Sequence, residues 1–332
     1  MRHILVTGGL GFIGTNLLSR LSRDSEIFIH NVDHFSLGVT YFEEIVSIEG
    51  QSRIKTYLND INDQDLLGSI LQDNNIKQVY HLAAESHVDR SIDGPRAFYE
   101  SNVMGTLSAV EACRAYIEKK EIRDFRILHV STDEVFGDLS SKDPPFSENS
   151  SYRPSSPYSA SKAASDFIIT SWYRTFGFPG IITNCSNNFG PGQNAEKLIP
   201  TIINALVNEE KIPIYGTGNN IRDWLFVDTH AAYLEAIMAS GAPGNRYLIG
   251  GDMELTNLEL VNKIVNIFNS LCPEMAKNFD TVVEFVSDRK GHDQRYAIDT
   301  TTLKKQFPEV DVIDFEYALG RTVEFYLASN RL

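Results

Sequence analysis

The sequence predicts an α/β fold: a mostly parallel sheet with helices on both faces, followed by a smaller mixed α/β lobe. Three observations predict it. Short apolar runs alternate with longer amphipathic stretches through the first half of the chain, the rhythm of βαβ units. Runs such as I-L-V and F-R-I-L-H-V are too continuous for a strand with one wet face and suit a sheet buried on both sides. A glycine-rich turn follows the first run and opens a helix.

Taken in order, strands are expected at Ile4–Thr7, Ile27–Val32, Ile54–Tyr57, Val79–Leu82, Ile127–Ser131 and Ile181–Cys185. Helices are expected between them, at about 12–22, 63–74, 96–118 and 158–176. Past residue 190 the rhythm changes. Gly190-Pro191-Gly192, Pro200, Pro213, Gly216 and Gly218 mark a region of turns and short elements. The expected division is a first lobe over 1–189, with a return segment near 224–240, and a second lobe over 190–332. V-D-T-H-A-A-Y-L-E-A-I in the return segment reads as a helix covering the sheet.

Composition narrows the function. The chain has 332 residues, enough for a large core. Thirty basic and 44 acidic residues give a formal charge of −14, which argues against a nucleic-acid binder. Cys113, Cys185 and Cys272 are far apart and in no metal spacing, so neither a disulfide framework nor a metal site is expected. No apolar run approaches the ~18 residues of a membrane span. The N-terminus runs straight into a strand pattern with no leader. A cytoplasmic protein is expected.

The glycine motif is Thr7-Gly8-Gly9-Leu10-Gly11-Phe12-Ile13-Gly14, with Gly8, Gly11 and Gly14 spaced as G-x-x-G-x-x-G. Glycine is needed where the chain turns tightly and approaches a pyrophosphate, and the helix start offers unpaired N–H groups to phosphates. Asp33 ends the second strand 19 residues after Gly14 and can accept hydrogen bonds from an adenosine ribose. It would repel a 2′-phosphate, and no basic residue follows closely, so NAD is favoured over NADP. The first lobe thus reads as a Rossmann-type doubly wound sheet. Asp60 and Ile61 are placed to flank the adenine. The small side chains of the Leu82-Ala83-Ala84 segment let a cofactor lie against the backbone.

Tyr158 and Lys162 form Y-x-x-x-K, one face of a helix that Pro157 would open. An ammonium beside a phenol favours the phenolate, which can act as base toward a sugar hydroxyl while hydride leaves carbon. The strand before it ends Ser131-Thr132-Asp133-Glu134, at the sheet edge where such folds hold ligands. Two adjacent acids exceed what a simple dehydrogenase needs. One can take a proton from carbon while its protonated neighbour helps a hydroxyl leave.

These residues resemble the extended short-chain dehydrogenase/reductases and, within them, the dTDP-glucose 4,6-dehydratases, over nearly the whole chain. The resemblance is carried by T-G-G-L-G-F-I-G, H-L-A-A-E-S-H-V-D-R-S-I (81–92), S-T-D-E-V-F-G (131–137), P-Y-S-A-S-K-A-A-S-D (157–166), N-C-S-N-N-F-G-P (184–191), E-K-L-I-P (196–200), Y-G-T-G-N-N-I-R-D-W (215–224) and D-R-K-G-H-D-Q-R-Y-A-I-D (288–299). It implies a lyase that retains NAD and turns a nucleotide-glucose into a 4-keto-6-deoxy sugar. Tyr158, Lys162 and Thr132 would act at the 4-hydroxyl, Glu134 at the C5 proton and Asp133 at the departing 6-hydroxyl. The implied cofactor set adds Phe12, Ile13, Ser101 and Asn188 to the residues above. The implied substrate set is Ser86, Thr132, Asn187, Lys197, Leu198, Pro213, Tyr215, Arg222, Asn257, Arg289 and His292, with the arginines and His292 at the diphosphate, for which arginine is suited by its bidentate donors. A homodimer through the helices near 96–118 and 158–176 is also implied. On the second of these, Ile168, Ile169, Trp172 and Phe176 could line either a core or a partner.

Several positions depart from the family pattern. Phe136 and Phe189 replace a common tyrosine, Ser101 a common threonine, 34–38 differ after Asp33, and Gly192 and Asn194-Ala195 replace bulkier residues. Other readings stay open: UDP in place of dTDP, a nucleotide-sugar 4-epimerase or decarboxylase on the same scaffold, or a silent NAD-binding protein. The last two have no need of Asp133 and Glu134 together.

Overall fold

The computed structural model describes residues 1–34 and 41–329. Seven strands form one parallel sheet: β1 (Arg2–Thr7), β2 (Ile27–Asp33), β3 (Ile54–Leu58), β4 (Gln78–His81), β5 (Arg126–Thr132), β6 (Gly180–Cys185) and β10 (Arg246–Ile249). Their order is β10-β6-β5-β4-β1-β2-β3. The order reverses between β1 and β4, which opens a crevice at the carboxyl ends of those strands. The six strands expected from sequence are present. The seventh, β10, was not expected.

Two cores sandwich this sheet because successive side chains of a strand point to opposite faces. Ile4, Val6, Ile29, Leu128 and Ile181 pack on one side with Leu17, Leu18, Leu234 and Ile237 of helices Phe12–Leu21 and Val227–Ser240. Leu5, Val32, Val79, Ile127 and Ile182 pack on the other with Leu67, Leu71, Val110, Tyr116 and Ile169. Ile169 is therefore core, 1% exposed, while Phe176 on the same helix stays 47% exposed.

The expected helix over 96–118 is interrupted. Pro95–Phe98 leads into a π-helical turn, Tyr99–Met104, before Gly105–Lys120. Within the turn the Asn102 carbonyl accepts hydroxyls from Thr106 and Ser165 at 2.6 Å each, and its side chain bridges to Glu85 and Ser161. Side-chain donors thus fasten this turn to the neighbouring helix and loop, as π-turns near functional sites often are.

The other strands build small sheets: β7 (Asn187–Phe189), β9 (Ile221–Phe226) and β11 (Glu254–Thr256) in the order β11-β9-β7, and β8 (Ile212–Tyr215) with β12 (Val283–Val286). They share a core of Phe189, Ile199, Ile203, Ile214, Trp224, Phe226, Leu260, Ile264, Phe268, Leu319 and Tyr326. The two regions interleave. β9 belongs to a small sheet, the helix after it covers the large sheet, and β10 joins that large sheet.

Phe268 is fully buried in the second core. Phe268→Ala is expected to cost about 3–5 kcal/mol of stability, read from the midpoint of chemical denaturation.

Candidate active site

The cleft begins at the glycine turn. Gly8 takes φ +75°, and a Cβ there would lie 2.6 Å from the Ala83 amide nitrogen. A Cβ on Gly14 would lie 2.1 Å from the Gly8 carbonyl oxygen, so this glycine lets the helix pack on the turn. Helix Phe12–Leu21 starts at Gly11 with no side-chain cap. Its first amides are therefore free of intrahelical partners. A Cβ on Gly11 would make only an ordinary contact, 3.5 Å from the Gly8 carbonyl oxygen. The Asp33 carboxylate, at the end of β2, accepts the Leu10 N–H at 2.7 Å. Burial pushes its pKa up and that amide pulls it down. Gly8, Gly11, Phe12, Ile13, Gly14, Asp33, Asp60, Ile61, Leu82, Ala83, Ala84, Ser101 and Asn188 all line one cleft. Room at Gly11, uncapped amides and a carboxylate at the strand end fit a dinucleotide.

The same cleft continues to Thr132, Asp133, Glu134, Tyr158 and Lys162. Strand β5 stops at Thr132, whose hydroxyl accepts the Glu134 N–H at 3.2 Å and caps a short turn, Asp133–Phe136. Gly137, at φ +87°, ends that turn, and a Cβ there would strike the Arg153 carbonyl oxygen at 2.3 Å. Across the cleft, helix Pro157–Phe176 starts with Ser156 and Ser159 in a capping box and Pro157 in its first turn. This cap fixes Tyr158 and, one turn on, Lys162.

Burial sets the charges. Asp133 is 1% exposed, and its carboxyl is held well above the usual range by burial, then by the charges of Glu134 and Asp223. Glu134 is also pushed up by burial, but Lys197, Arg222 and Arg289 pull against it. Tyr158 is held well above the ordinary phenol by burial and Glu134, with the Thr132 hydroxyl opposing through a hydrogen bond. Lys162 is lowered to about 8 by burial, and its Nζ donates to the Val130 carbonyl at 2.9 Å. The Y-x-x-x-K spacing predicts a phenol eased toward phenolate. Here desolvation outweighs the ammonium, whose bond runs to the backbone.

The expected substrate residues divide. Ser86, Asn187 and Lys197 line the cleft, and the Lys197 ammonium donates to the Ser86 carbonyl at 3.2 Å. Leu198, Pro213, Tyr215, Arg222, Asn257, Arg289 and His292 stand outside its lining. Tyr215, Arg289 and His292 nonetheless cluster. The Arg289 guanidinium lies 5.2 Å from the Tyr215 ring, which meets the His292 ring edge-on at 6.4 Å. Arg289 is held by Asp89 through Nε at 2.7 Å and Nη2 at 2.9 Å. Arg222 lies 4.4 Å over Tyr296 and donates to the carbonyls of Ile221 and Asp293. Leu198 opens a helix and packs on the second core. The Asn257 amide donates to the Asn220 carbonyl, and Pro213 sits on β8.

Three family departures have packing reasons. Phe189 is fully buried among Trp224, Phe226 and Phe315, and Phe136 packs on Phe146 and Tyr152, so neither site takes a hydroxyl toward ligand. Gly192 has φ +84°, and a Cβ there would meet Ile45 at 2.4 Å. The departure after Asp33 is described only at His34, which lines the cleft; 35–38 lie outside the described residues. Sequence reasoning missed Arg90 and Glu196, which pair at 3.0 Å at the cleft wall, although both stand in strings carrying the family resemblance. It also missed Cys185, which the β5–β6 register sets opposite Thr132.

Comparison with known proteins agrees with this geometry. Residues 5–310 match the family model described as GDP-mannose 4,6 dehydratase. A dTDP-glucose 4,6-dehydratase of Haemophilus influenzae is 42% identical, over 99% of each chain. A dTDP-glucose 4,6-dehydratase of Bacillus anthracis, solved in complex with NAD, superposes with a TM-score of 0.86 at 34% identity, covering 99% of this chain and 97% of that one. One from Streptomyces venezuelae, also with NAD bound, gives 0.87 at 34%, covering 99% and 98%.

The raised carboxyl of Asp133 predicts a pH-dependent effect on stability. A group whose pKa is higher folded than unfolded takes up a proton on folding. Its contribution is most favourable below the ordinary value of 3.8 and is lost as pH rises toward the folded value. Asp133→Asn is therefore expected to raise the melting temperature at about pH 7.5 and to change it little at about pH 4, read by thermal melts across pH.

Proposed function

This chain belongs to the dTDP-glucose 4,6-dehydratases of the extended short-chain dehydrogenase/reductase family, and we propose how its residues divide the reaction between them. The reaction is dehydration of dTDP-glucose to dTDP-4-keto-6-deoxyglucose. The observation that carries this reading is Asp133, 1% exposed with its carboxyl held well above the usual range by burial, next to Glu134 in the cleft that also holds Tyr158.

A bound NAD would supply the hydride acceptor at the sugar C4 and the hydride donor at C6, and C5 would regain its proton from Glu134 as C6 is reduced, so there is no net oxidation. Tyr158 takes the proton of the 4-hydroxyl, with the Thr132 hydroxyl bonded to its phenol and the Lys162 ammonium one helical turn away. The 4-ketone acidifies the C5 proton. Glu134 removes it; burial raises its carboxyl too, but Lys197, Arg222 and Arg289 oppose that rise. Asp133, whose carboxyl burial holds well above the usual range, gives a proton to the departing 6-hydroxyl. Placing two neighbouring carboxyls in different environments assigns the acid and the base. Gly8–Gly14, Asp33, Asp60, Ile61, Leu82–Ala84, Ser101 and Asn188 hold the cofactor. Ser86, Asn187, Lys197, Arg222, Arg289 and His292 hold the sugar and its diphosphate, with Tyr215 and Pro213 toward the base and Asn257 and Leu198 behind. Residues 1–189 form the cofactor lobe and 190–332 mainly the substrate lobe. The enzyme works in the cytoplasm, a placement supported by the unpaired Cys113, Cys185 and Cys272. Among the described residues, no helix is long and apolar enough to cross a membrane.

The chain also pairs with a second copy. Tyr99, Met104, Phe167, Tyr173 and Phe176 stand 41–58% exposed on the elements over 95–120 and 157–176, and the Arg114 guanidinium lies 3.7 Å over Phe176 to join the two helices. Large apolar side chains left exposed on these elements support an interaction site there.

Incubated with dTDP-glucose and no added NAD, the purified protein is expected to remove one water, seen by mass spectrometry. Water loss only from UDP-glucose would overturn the nucleotide assignment. Glu134→Gln and Asp133→Asn are each expected to slow water loss by about 10²-fold or more while C4 oxidation, read as reduced-nicotinamide absorbance, persists. Sedimentation is expected to show a dimer, and a monomer at all working concentrations would overturn the pairing.

A further inference from the structure

Asp166 stands one helical turn past Lys162, as Lys162 stands one turn past Tyr158, so the three share a face of helix Pro157–Phe176. Asp166 is fully buried. The Tyr152 hydroxyl donates to its Oδ2 at 2.5 Å, Asn184 Nδ2 donates to the same oxygen at 3.1 Å, and His129 Nε2 lies 3.2 Å from Oδ1. None of these three contacts supplies a full positive charge at neutral pH, because burial holds His129 near a pKa of about 4. A buried carboxylate without a cation is costly. Lys162, 3% exposed, is the buried ammonium on its own helix.

We propose that Asp166 is a positioning residue for proton transfer at Tyr158: its buried carboxylate keeps Lys162 in the charged form on which Tyr158 depends. This rests on the reading that Tyr158 and Lys162 act at the 4-hydroxyl. Burial by itself drives an ammonium toward the neutral amine. Lys162 holds a pKa of about 8 against that burial, and Asp166 is the largest opposing influence, ahead of Cys185. The other groups facing this array act differently. Arg246 of β10 lies 4.7 Å over the Tyr152 ring rather than on the carboxylate. His81 of β4 stacks on His129 at 5.3 Å and is held neutral by burial. Asp133 and Glu134 act on Tyr158, at the other end of the array. Asp166 is thus the anion placed behind the lysine, and the acids of the cleft lie before it.

The test reads Lys162 directly. In holoenzyme labelled with 13C-lysine, its ε-carbon resonance is identified by its loss in Lys162→Met and titrated against pH. Asp166→Asn keeps the shape and removes the charge. It is expected to lower the Lys162 midpoint by about one pH unit or more, and the alkaline limb of the water-loss rate should move with it. Tyr152→Phe removes a hydrogen bond to Asp166 and leaves its charge, so the midpoint should stay near that of the wild type. Asp166→Ser gives the same readout if the Asn variant does not fold. An unchanged midpoint in the uncharged variants, or an equal shift in Tyr152→Phe, overturns the proposal. Failure of the wild type to dehydrate dTDP-glucose would strike the functional reading alone, because the resonance titrates whatever the substrate.

Discussion

The parallel sheet is the constraint on which the rest depends. Every strand of a seven-stranded parallel sheet points the same way, so every connection must cross a face, and the crossing helices cover both sides. What remains open is the edge where the strands end. Thr7, Asp33, His81, Thr132 and Cys185 are the last residues of β1, β2, β4, β5 and β6. The glycine turn, the Asp33 carboxylate, the capped Asp133–Phe136 turn and the Tyr158 helix all follow from that one edge.

Burial at that edge then sorts the chemistry. Asp133 and Glu134 are neighbours in sequence with the same functional group. Burial raises both carboxyls, Asp133 further than Glu134; the charges of Glu134 and Asp223 add to the rise at Asp133, while Lys197, Arg222 and Arg289 oppose it at Glu134. Those three cations all lie past residue 190 and act on Glu134 by field, in a setting where charges interact more strongly than in water.

The same principle runs beneath the cleft. The floor under Lys162 is polar though almost fully sealed: His81, His129, Asp166 and Asn184 are each 1% exposed or less. Several of its groups have hydrogen-bond partners. Thr7 and Thr106 hold the two ring nitrogens of His81 at 2.8 and 3.0 Å, and Tyr152 and Asn184 hold Asp166. The Tyr158 helix is thereby tied to the sheet on which it sits.

The sequence by itself determined the six first strands, the glycine turn, the end of β2 at Asp33, the opening of the Tyr158 helix at Pro157, and the acid pair after Thr132. These signals are local: strand and helix periods, turn-forming glycines and capping residues act over a few positions. Only the tertiary structure decided the rest. R-Y-L-I at 246–249 is too short to announce itself as the seventh strand and gains its place by pairing with β6. The π-turn depends on hydroxyls from Ser165 and Thr106 converging on Asn102. Whether Ile169 and Phe176 face a core or the surface depended on what packs against their helix. The charge states of Asp133, Glu134, Tyr158 and Lys162 depended most of all on residues distant in the chain, because burial and opposing charge are properties of the folded surroundings that no run of neighbouring residues encodes.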